Sequence, residues 1–389
     1  MVNLWPLLLP AAAFSGWVAA HRNHHKKIER QTNRLSREYV VGLNYLLNEQ
    51  PDKAVDIFIK LLEVDSETVE THLALGSLFR RRGEVDRAIR IHQNLIARPQ
   101  LSLSERKEAL MALGQDYMSA GVFDRAERIF LEVVDLGGRG EARSLQELMA
   151  IYQQEKAWDK ALNTLHKFEL VTGQTLATQA AHFHCEIAEQ YLKRNQIDKA
   201  FQSIRQALAV DKLCVRASLM QAALEMRQGR YKIAIRALRR VPQQDAEFLS
   251  EIISPLVHCY REINTMEECI EFLQKTLWDH PRASTIFVIA DYIREKEGMD
   301  QAVDFVSEQL QKHPSIRGLN RLIFWHLESA QGKVRDKLQM LYAITSKFLD
   351  DKPIYRCGHC GFGGKHLHWQ CPSCKQWSRT KPVHGLEGD

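Results

Sequence analysis

Charge of one sign is what this sequence most plainly lacks. Its 389 residues carry 53 Lys and Arg against 48 Asp and Glu, a net charge of +5. A nucleic-acid binder ordinarily presents a concentrated basic face, so no nucleic-acid partner is expected. Strand-like segments are nearly missing, and with them any glycine-rich dinucleotide loop following a strand. There is no nucleophile elbow and no His-Glu-x-x-His motif; without a catalytic constellation the chain is not read as an enzyme. Gly364-Lys365 has the look of a phosphate loop, but the glycine that motif needs five residues earlier is His359. With 45% apolar and 26% charged residues, the composition is that of an ordinary globular chain with room for two or three domains.

Basic residues ahead of the apolar amino terminus are missing as well. Leu4–Ala20, LWPLLLPAAAFSGWVAA, runs 17 residues without a charge, and Arg22, Lys26, Lys27 and Arg30 follow it. A cleavable signal peptide has the opposite order. As a helix the run spans about 25 Å, slightly short of a ~30 Å hydrocarbon core, a gap that flanking residues and local thinning cover. Residues 1–20 are read as a single transmembrane helix and 21–37 as a juxtamembrane linker. This is preferred to a signal peptide and to a buried soluble helix, which Pro6 and Pro10 disfavour. The positive-inside rule then sets the body of the chain in the cytoplasm. His21, His24 and His25 are read as polar linker residues rather than metal ligands.

Between residues 38 and 350 one pattern recurs. Aligned on a small residue, the same phase returns at Ala54, Ala88, Ala126, Ala161, Ala200, Ala234, Cys269 and Ala302, with separations of 34, 38, 35, 39, 34, 35 and 33. That period, with a small residue where two helices cross, marks tetratricopeptide repeats. Twelve residues earlier stand Gly42, Gly76, Gly114, Ala188 and Ala222, expected where the paired helices approach closely. Nine residues earlier stand Tyr45, Phe79, Tyr117, Tyr152, Tyr191 and Tyr260, while Pro281 and Pro314 close second helices. RRGEVDR, SAGVFDR, KRNQIDK and RQGRYKI each place Gly or Asn where a first helix must stop. Eight repeats are counted; a helical pair over Arg317–Leu349 is a candidate ninth. Such arrays form a superhelix whose concave face binds peptides or proteins. Arg80, Arg81 and Arg82 are read as a solvated helix end in preference to a groove contact, and His182-Phe183-His184-Cys185 as packing rather than a metal site.

Half of the eight cysteines fall within 18 residues. Cys357-x2-Cys360 and Cys371-x2-Cys374, ten residues apart, form the double pair in which two short turns present four thiolates to one tetrahedral ion. Residues 351–389 bury too little apolar surface to fold unaided, so a bound metal is the expected source of stability. Zinc is favoured; iron suits four thiolates equally, and a disulfide pairing depends on the compartment. Gly361 suits the turn after the first pair, while Lys375 is an uncomfortable occupant of the matching place. Tyr355, Phe362, Trp369 and Trp377 are expected to form a small aromatic core, and His359, His366 and His368 to be surface or packing residues. Cys185, Cys214, Cys259 and Cys269 are read as core residues of the helical region.

Together these parts resemble one family. An amino-terminal anchor, NRLSREYVVGLNYLLNEQPDKAVDIF, GSLFRRRGEVDRAIRIHQNL, a full repeat array and the ending YRCGHCGF, WQCPSCKQWS and KPVHGLEGD are similar to the lipopolysaccharide assembly protein B family of Gram-negative bacteria. The likeness spans the whole chain. It implies an all-α fold: a tetratricopeptide-repeat superhelix with an N-terminal transmembrane helix and a small C-terminal rubredoxin-like zinc knuckle. Its metal set would be Cys357, Cys360, Cys371 and Cys374. Lys375 departs from the glycine typical of rubredoxin itself, which weakens a case for electron transfer. The resemblance further implies an adaptor of the inner membrane, single-pass and facing the cytoplasm. It would bring the lipid A deacetylase to the membrane-bound AAA+ metalloprotease for degradation and so restrain lipopolysaccharide synthesis. A membrane sensor of lipopolysaccharide level and other lipopolysaccharide assembly proteins are implied partners, and a homo-oligomer is compatible. Rival readings are a membrane-tethered one-iron redox protein, a general scaffold for envelope biogenesis, and a zinc ribbon for nucleic acid. The last is prompted by six Lys or Arg against two acidic residues from Lys352 onward.

Overall fold

The computed structural model describes residues 40–42, 44, 45, 53, 54, 57 and 69–389, apart from 139 and 387. The transmembrane helix and linker expected over 1–37 lie outside the described residues. Among the described residues no helix is long and apolar enough to cross a membrane.

From residue 69 the described chain is a succession of antiparallel helices. They are α1 Val69–Arg81, α2 Val85–Ile96, α3 Leu103–Ser119, α4 Phe123–Asp135, α5 Glu141–Gln154, α6 Trp158–Thr172, α7 Ala177–Lys193 and α8 Ile197–Val210. There follow α9 Val215–Arg227, α10 Tyr231–Gln244, α11 Leu249–Glu262, α12 Met266–Asp279, α13 Ala283–Lys296, α14 Met299–Lys312, α15 Ile316–Ser329 and α16 Gly332–Asp351. A 3-10 turn, Ala246–Phe248, precedes α11, and three short strands follow α16. The chain divides into two compact units, Met1–Ala157 with Thr164–Gln174, and Trp158–Asn163 with Thr175–Asp389.

Local chemistry fixes where helices stop. Gly83, Gly121, Asn195 and Gly229 all take positive φ, as the turn requires. Lys156 and Asn264 hold the same register, five residues before the aligned small residue, with φ of 57° and 55°. At Lys156 the turn is thus imposed on a residue that favours it less. Pro281 and Pro314 directly follow the helix-capping His280 and His313. The longer link before α3 ends in a capping box, where Ser102 Oγ accepts from the Glu105 amide and the Glu105 carboxylate accepts from the Ser102 amide.

All eight aligned residues, Ala54 through Ala302, are 0% exposed, which verifies the register of the repeat. In the first unit, a Cβ on Gly76 would collide with the His92 ring, and one on Gly114 would lie 2.5 Å from Phe130. These glycines exist to let the next helix's ring sit against the backbone. The basic residue before the aligned alanine has a use the pattern did not reveal. Lys53, Arg87, Arg125 and Lys199 each lie 5.6 Å over the aromatic ring eight residues earlier, a cation–π contact repeated from pair to pair.

Arg80 departs from the solvated helix end expected of it. Its Nη1 donates to the buried Asp116 carboxylate at 2.6 Å and to the Ala112 carbonyl, and Nη2 donates to Gln115. The other Asp116 oxygen is bonded to His92 Nδ1 at 2.5 Å. A buried carboxylate needs such partners, and that need outweighs the pull of solvent on Arg80. Arg81 and Arg82 are exposed.

In the second unit the core runs through α9 to α13, with Leu249, Ile252, Leu256 and Tyr260 among its buried members. Cys185, Cys214, Cys259 and Cys269 are buried in it or in the neighbouring α7–α9 cluster, as expected of core thiols. Trp325 of α15 is 1% exposed and packs with Ile286, Ala290, Ala302 and Val306. Gly318 lets Leu310 close on α15. Helices α15 and α16 form a further antiparallel pair, joined by the Phe324–Tyr342 ring contact. No residue of α16 is fully buried.

Candidate metal centre and the surface that holds it

After α16 the chain forms a three-stranded antiparallel sheet of β1 Tyr355–Cys357, β2 Gly363–Gly364 and β3 Thr380–Pro382, in the order β2-β1-β3. Tyr355 pairs with Gly364 on one side and Pro382 on the other; Cys357 pairs with Thr380. The ladder anchors Cys357, and the two Cys-x2-Cys turns project from it.

The turns repeat one hydrogen-bond pattern. The Cys357 amide donates to the Phe362 carbonyl at 2.8 Å and the Gly361 amide to the Cys357 carbonyl at 2.9 Å. In the second turn the Cys371 amide donates to Gln376 and the Lys375 amide to Cys371, both at 2.9 Å. The residue after each second cysteine is left-handed: Gly361 with φ 77° and Lys375 with φ 58°. Lysine at this place bears backbone strain that glycine does not, about 1–3 kcal/mol. The discomfort expected of Lys375 is therefore present, and the second turn tolerates it.

Four thiols converge. The sulfurs of Cys357, Cys360, Cys371 and Cys374 all lie within 4.8 Å of one another, and none is in a disulfide. Cys357 and Cys374 are 3.8 Å apart and Cys360 and Cys371 3.6 Å. A disulfide needs about 2.05 Å. A tetrahedron of sulfurs each about 2.3 Å from a central ion has edges of about 3.8 Å, so the spacing fits a bound ion and not a crosslink. Zinc and iron share this geometry. Cys357 and Cys371 are buried, Cys374 half-buried and Cys360 exposed, so the cluster has an inner and an outer edge. The amide of Phe362 bonds to the Cys360 sulfur and holds that thiol well below its usual range, at about 6. The Gln376 amide pulls Cys374 the same way, but burial and the neighbouring thiols outweigh it and push that group up to about 11. Four thiolates crowded together need a cation to neutralise them. His359 and His366 are exposed, and His368 sits 6.2 Å from the Phe362 ring, outside the sulfur cluster.

The expected aromatic core of this knuckle is not formed. Three of its four rings turn outward onto the helices. Trp369 stacks on Phe248 of the 3-10 turn, 5.3 Å between centroids and 20° between planes, and with Leu367 it packs on the α9–α13 core. Trp377 stacks on His182 of α7 at 4.9 Å and 21°, with Trp158 and Phe183 edge-on. Tyr355 donates its hydroxyl to Glu251 of α11 at 2.8 Å. The physical reason is size. A knuckle this short has no interior large enough for an indole, whereas the helical surface offers flat, apolar partners.

Polar contacts frame these rings. Lys381 Nζ reaches Asp245 at 3.0 Å and Glu247 at 2.8 Å. Asp389 accepts from the Ser284 amide and hydroxyl, both at 2.7 Å, and so occupies the start of α13 as a capping carboxylate. The Ile316 amide donates to the Leu386 carbonyl at 2.9 Å. Ser378 Oγ and His182 Nε2 are hydrogen-bonded. Burial, helped by the Arg216 charge, depresses the His182 pKa to about 3, so this imidazole is neutral beneath Trp377. Burial raises Glu251, and burial together with its bond to Glu251 raises the Tyr355 hydroxyl. Arg216, itself buried, is matched by Glu186 at 2.8 Å and Glu189 at 2.6 Å.

His182 was legible only as a packing residue in the HFHC string. Phe248, Glu251, Ser284 and Asp389 carried no signal at all. Their partners lie roughly a hundred or more residues away along the chain, and the repeat pattern does not mark them.

Lipopolysaccharide assembly protein B of Escherichia coli strain K12 is 40% identical to this chain over 391 aligned residues that cover 100% of both. The chain belongs to the lipopolysaccharide assembly protein B family. The family member of Haemophilus influenzae strain KW20 is 36% identical, again over 100% of both chains. Tetratricopeptide-repeat family descriptions match residues 71–103 and 185–247, which cover most of α1, all of α2, the second half of α7 and all of α8 to α10. Among solved structures, MamA resembles 44% of the chain with 20% identity and a TM-score of 0.34.

Proposed function

We propose that this protein is a non-catalytic scaffold of lipopolysaccharide assembly, associated with the envelope. The observation that carries this reading is the end-to-end relationship to a family named for that role, at 40% identity with 100% coverage. The finer reading is an adaptor held in the inner membrane by residues 1–20, with its body in the cytoplasm. It presents the lipid A deacetylase to the membrane-bound AAA+ metalloprotease and answers to a membrane sensor of lipopolysaccharide level. Tethering favours such a role because it raises the effective concentration of a client in the plane of the protease. Repeat arrays suit it because each helix pair adds binding surface without adding chemistry. Cys357, Cys360, Cys371 and Cys374 would hold a zinc ion whose work is structural: it closes the two turns so that Trp369 and Trp377 are presented to the helices.

The test is the cellular half-life of the lipid A deacetylase in cells with the intact chain, with Cys371→Ser/Cys374→Ser, and without the chain. Rapid turnover with the intact chain alone is expected. Equal half-lives in all three would sink the proteolysis reading and leave the broader assembly role standing.

A further inference from the structure

Helix α16 closes the run of helices with one face bare. At 20 residues it is longer than any described helix before it. Its inner face is in use: Tyr342 meets Phe324 of α15, and Ser346 Oγ accepts from Asn320 Nδ2 at 3.1 Å. Val334, Met340, Leu341, Ile344 and Phe348 lie outside that contact and are 38–60% exposed. Val334, Leu341 and Phe348 recur every seven residues, with Ile344 between the last two. That is the spacing of a seam that packs against another helix. The end of a repeat array ordinarily turns a polar face outward, and this end does not.

The charges identify the partner. Anions favour the start of a helix and cations its end. Second helices α2, α4, α6, α8, α12 and α14 conform, each with Asp or Glu in the first turn. In α16 the order is reversed. Lys333 and Arg335 stand in the first turn with Lys337 just after it, and Asp350 and Asp351 close the last. Asp336 and Lys347 reduce this bias without reversing it. All five of the reversed charges are exposed, and none has an ion-pair partner among the described residues. Lys365 of the knuckle reaches this end of the helix, but its Nζ donates to the Asp350 and Lys352 main-chain carbonyls.

A second α16 laid antiparallel on the first answers both features. With a two-fold axis near Ile344, the basic start of each copy comes to the acidic end of the other. Ile344 then meets its own counterpart, Met340 and Leu341 approach Phe348, and Lys337 falls beside Asp351 of the second copy. A two-fold contact has to be complementary to itself, and a helix with opposite charges at its two ends and an apolar middle has that property. A membrane surface would ask for cations along the whole face and would repel the two carboxylates. We propose that the protein dimerises through α16, paired antiparallel with α16 of a second copy. The pairing does not depend on which client the protein serves or on which metal the knuckle holds.

The experiment is sedimentation equilibrium of the full-length chain in density-matched detergent micelles, over a hundredfold range of protein concentration. A reversible dimer is expected, because two helices each about 30 Å long make a small interface. Ile344→Glu sets two carboxylates on the axis and should weaken the dimer by about a hundredfold or more. Lys337→Asp and Asp351→Lys should each weaken it by about tenfold, since each puts like charges opposite one another twice per dimer. An equimolar mixture of those two variants should associate as tightly as the native chain, because opposite charges then meet at both contacts. All three positions are exposed, and helical signal with tryptophan emission checks that each variant is folded. Should Ile344→Glu not fold, the charge variants decide alone. A monomer at every concentration would overturn the proposal, as would a dimer indifferent to Ile344→Glu, which would set the contact elsewhere in the chain. A mixture no tighter than either charge variant alone would overturn it too, and so would a dimer tightened by Lys337→Asp, the mark of a parallel pair.

Discussion

Within a repeat, two helices meet where a glycine lets a ring rest on bare backbone: His92 on Gly76, Phe130 on Gly114. The knuckle meets its helices the other way round, laying its own rings, Trp369 and Trp377, flat on Phe248 and His182. The first arrangement recurs because the same crossing recurs, and any loss of it is confined to its own unit. The second occurs once and depends on parts brought from distant places: two turns whose four thiols converge, a histidine held neutral, and a carboxylate from Asp389 at the start of α13.

The largest effect that separates the two interfaces is removal of the ion. Chelation, or Cys371→Ser with Cys374→Ser, forfeits the binding energy that stabilises the turns, which for structural zinc sites is about 10–16 kcal/mol. Tryptophan emission should shift to the red as Trp369 and Trp377 leave their partners, while amide exchange in α1 to α4 stays protected. Loss of protection there as well would mean that the contrast between the interfaces is false and the chain is one folding unit.

A smaller break is expected from the other side. Gly114→Val places a branched side chain where a single Cβ already lies 2.5 Å from Phe130. Overpacking of this kind costs about 3 kcal/mol, seen as a lower denaturant midpoint for α1 to α4. Metal affinity measured by chelator competition should be unchanged.

The finest test is pH. His182 titrates at about 3 in place and near 6.5 when exposed. Between those values the released state binds the extra proton, so seating is at full strength above pH 6.5 and weakens by about 1.4 kcal/mol per unit as pH falls below it. Acid also protonates the thiolates, so the readout is a difference. Between pH 6.5 and 5 the knuckle of the native chain should loosen more steeply than that of His182→Gln, which has no imidazole to charge. Parallel curves would show that the neutral ring does not matter.

How far the sequence reached follows from the same contrast. The register of small residues, the positive-φ turns at Gly83, Gly121, Asn195 and Gly229, and the spacing of the four cysteines were legible, because each is a local rule written within a few residues. Arg80 was misjudged as solvated because its partner, Asp116, lies in the next repeat, and the knuckle's tryptophans were assigned to a core that a segment so short cannot enclose. The residues of the cation–π contacts stood in four of the Asp-Lys/Arg-Ala strings, but a string does not say that the basic side chain turns back over the ring eight residues earlier.

By itself the sequence determined what periodicity and ligand spacing can encode: paired helices in tandem and a knuckle of four convergent thiols, since hydrogen bonding, helix crossing and tetrahedral ligation act over short stretches of chain. Only the tertiary structure decided where the knuckle sits, which rings leave it for the helices, and that Arg80 reaches Asp116. Those outcomes depend on burial and charge summed over residues far apart in the chain, where no local pattern constrains which surface is complementary to which.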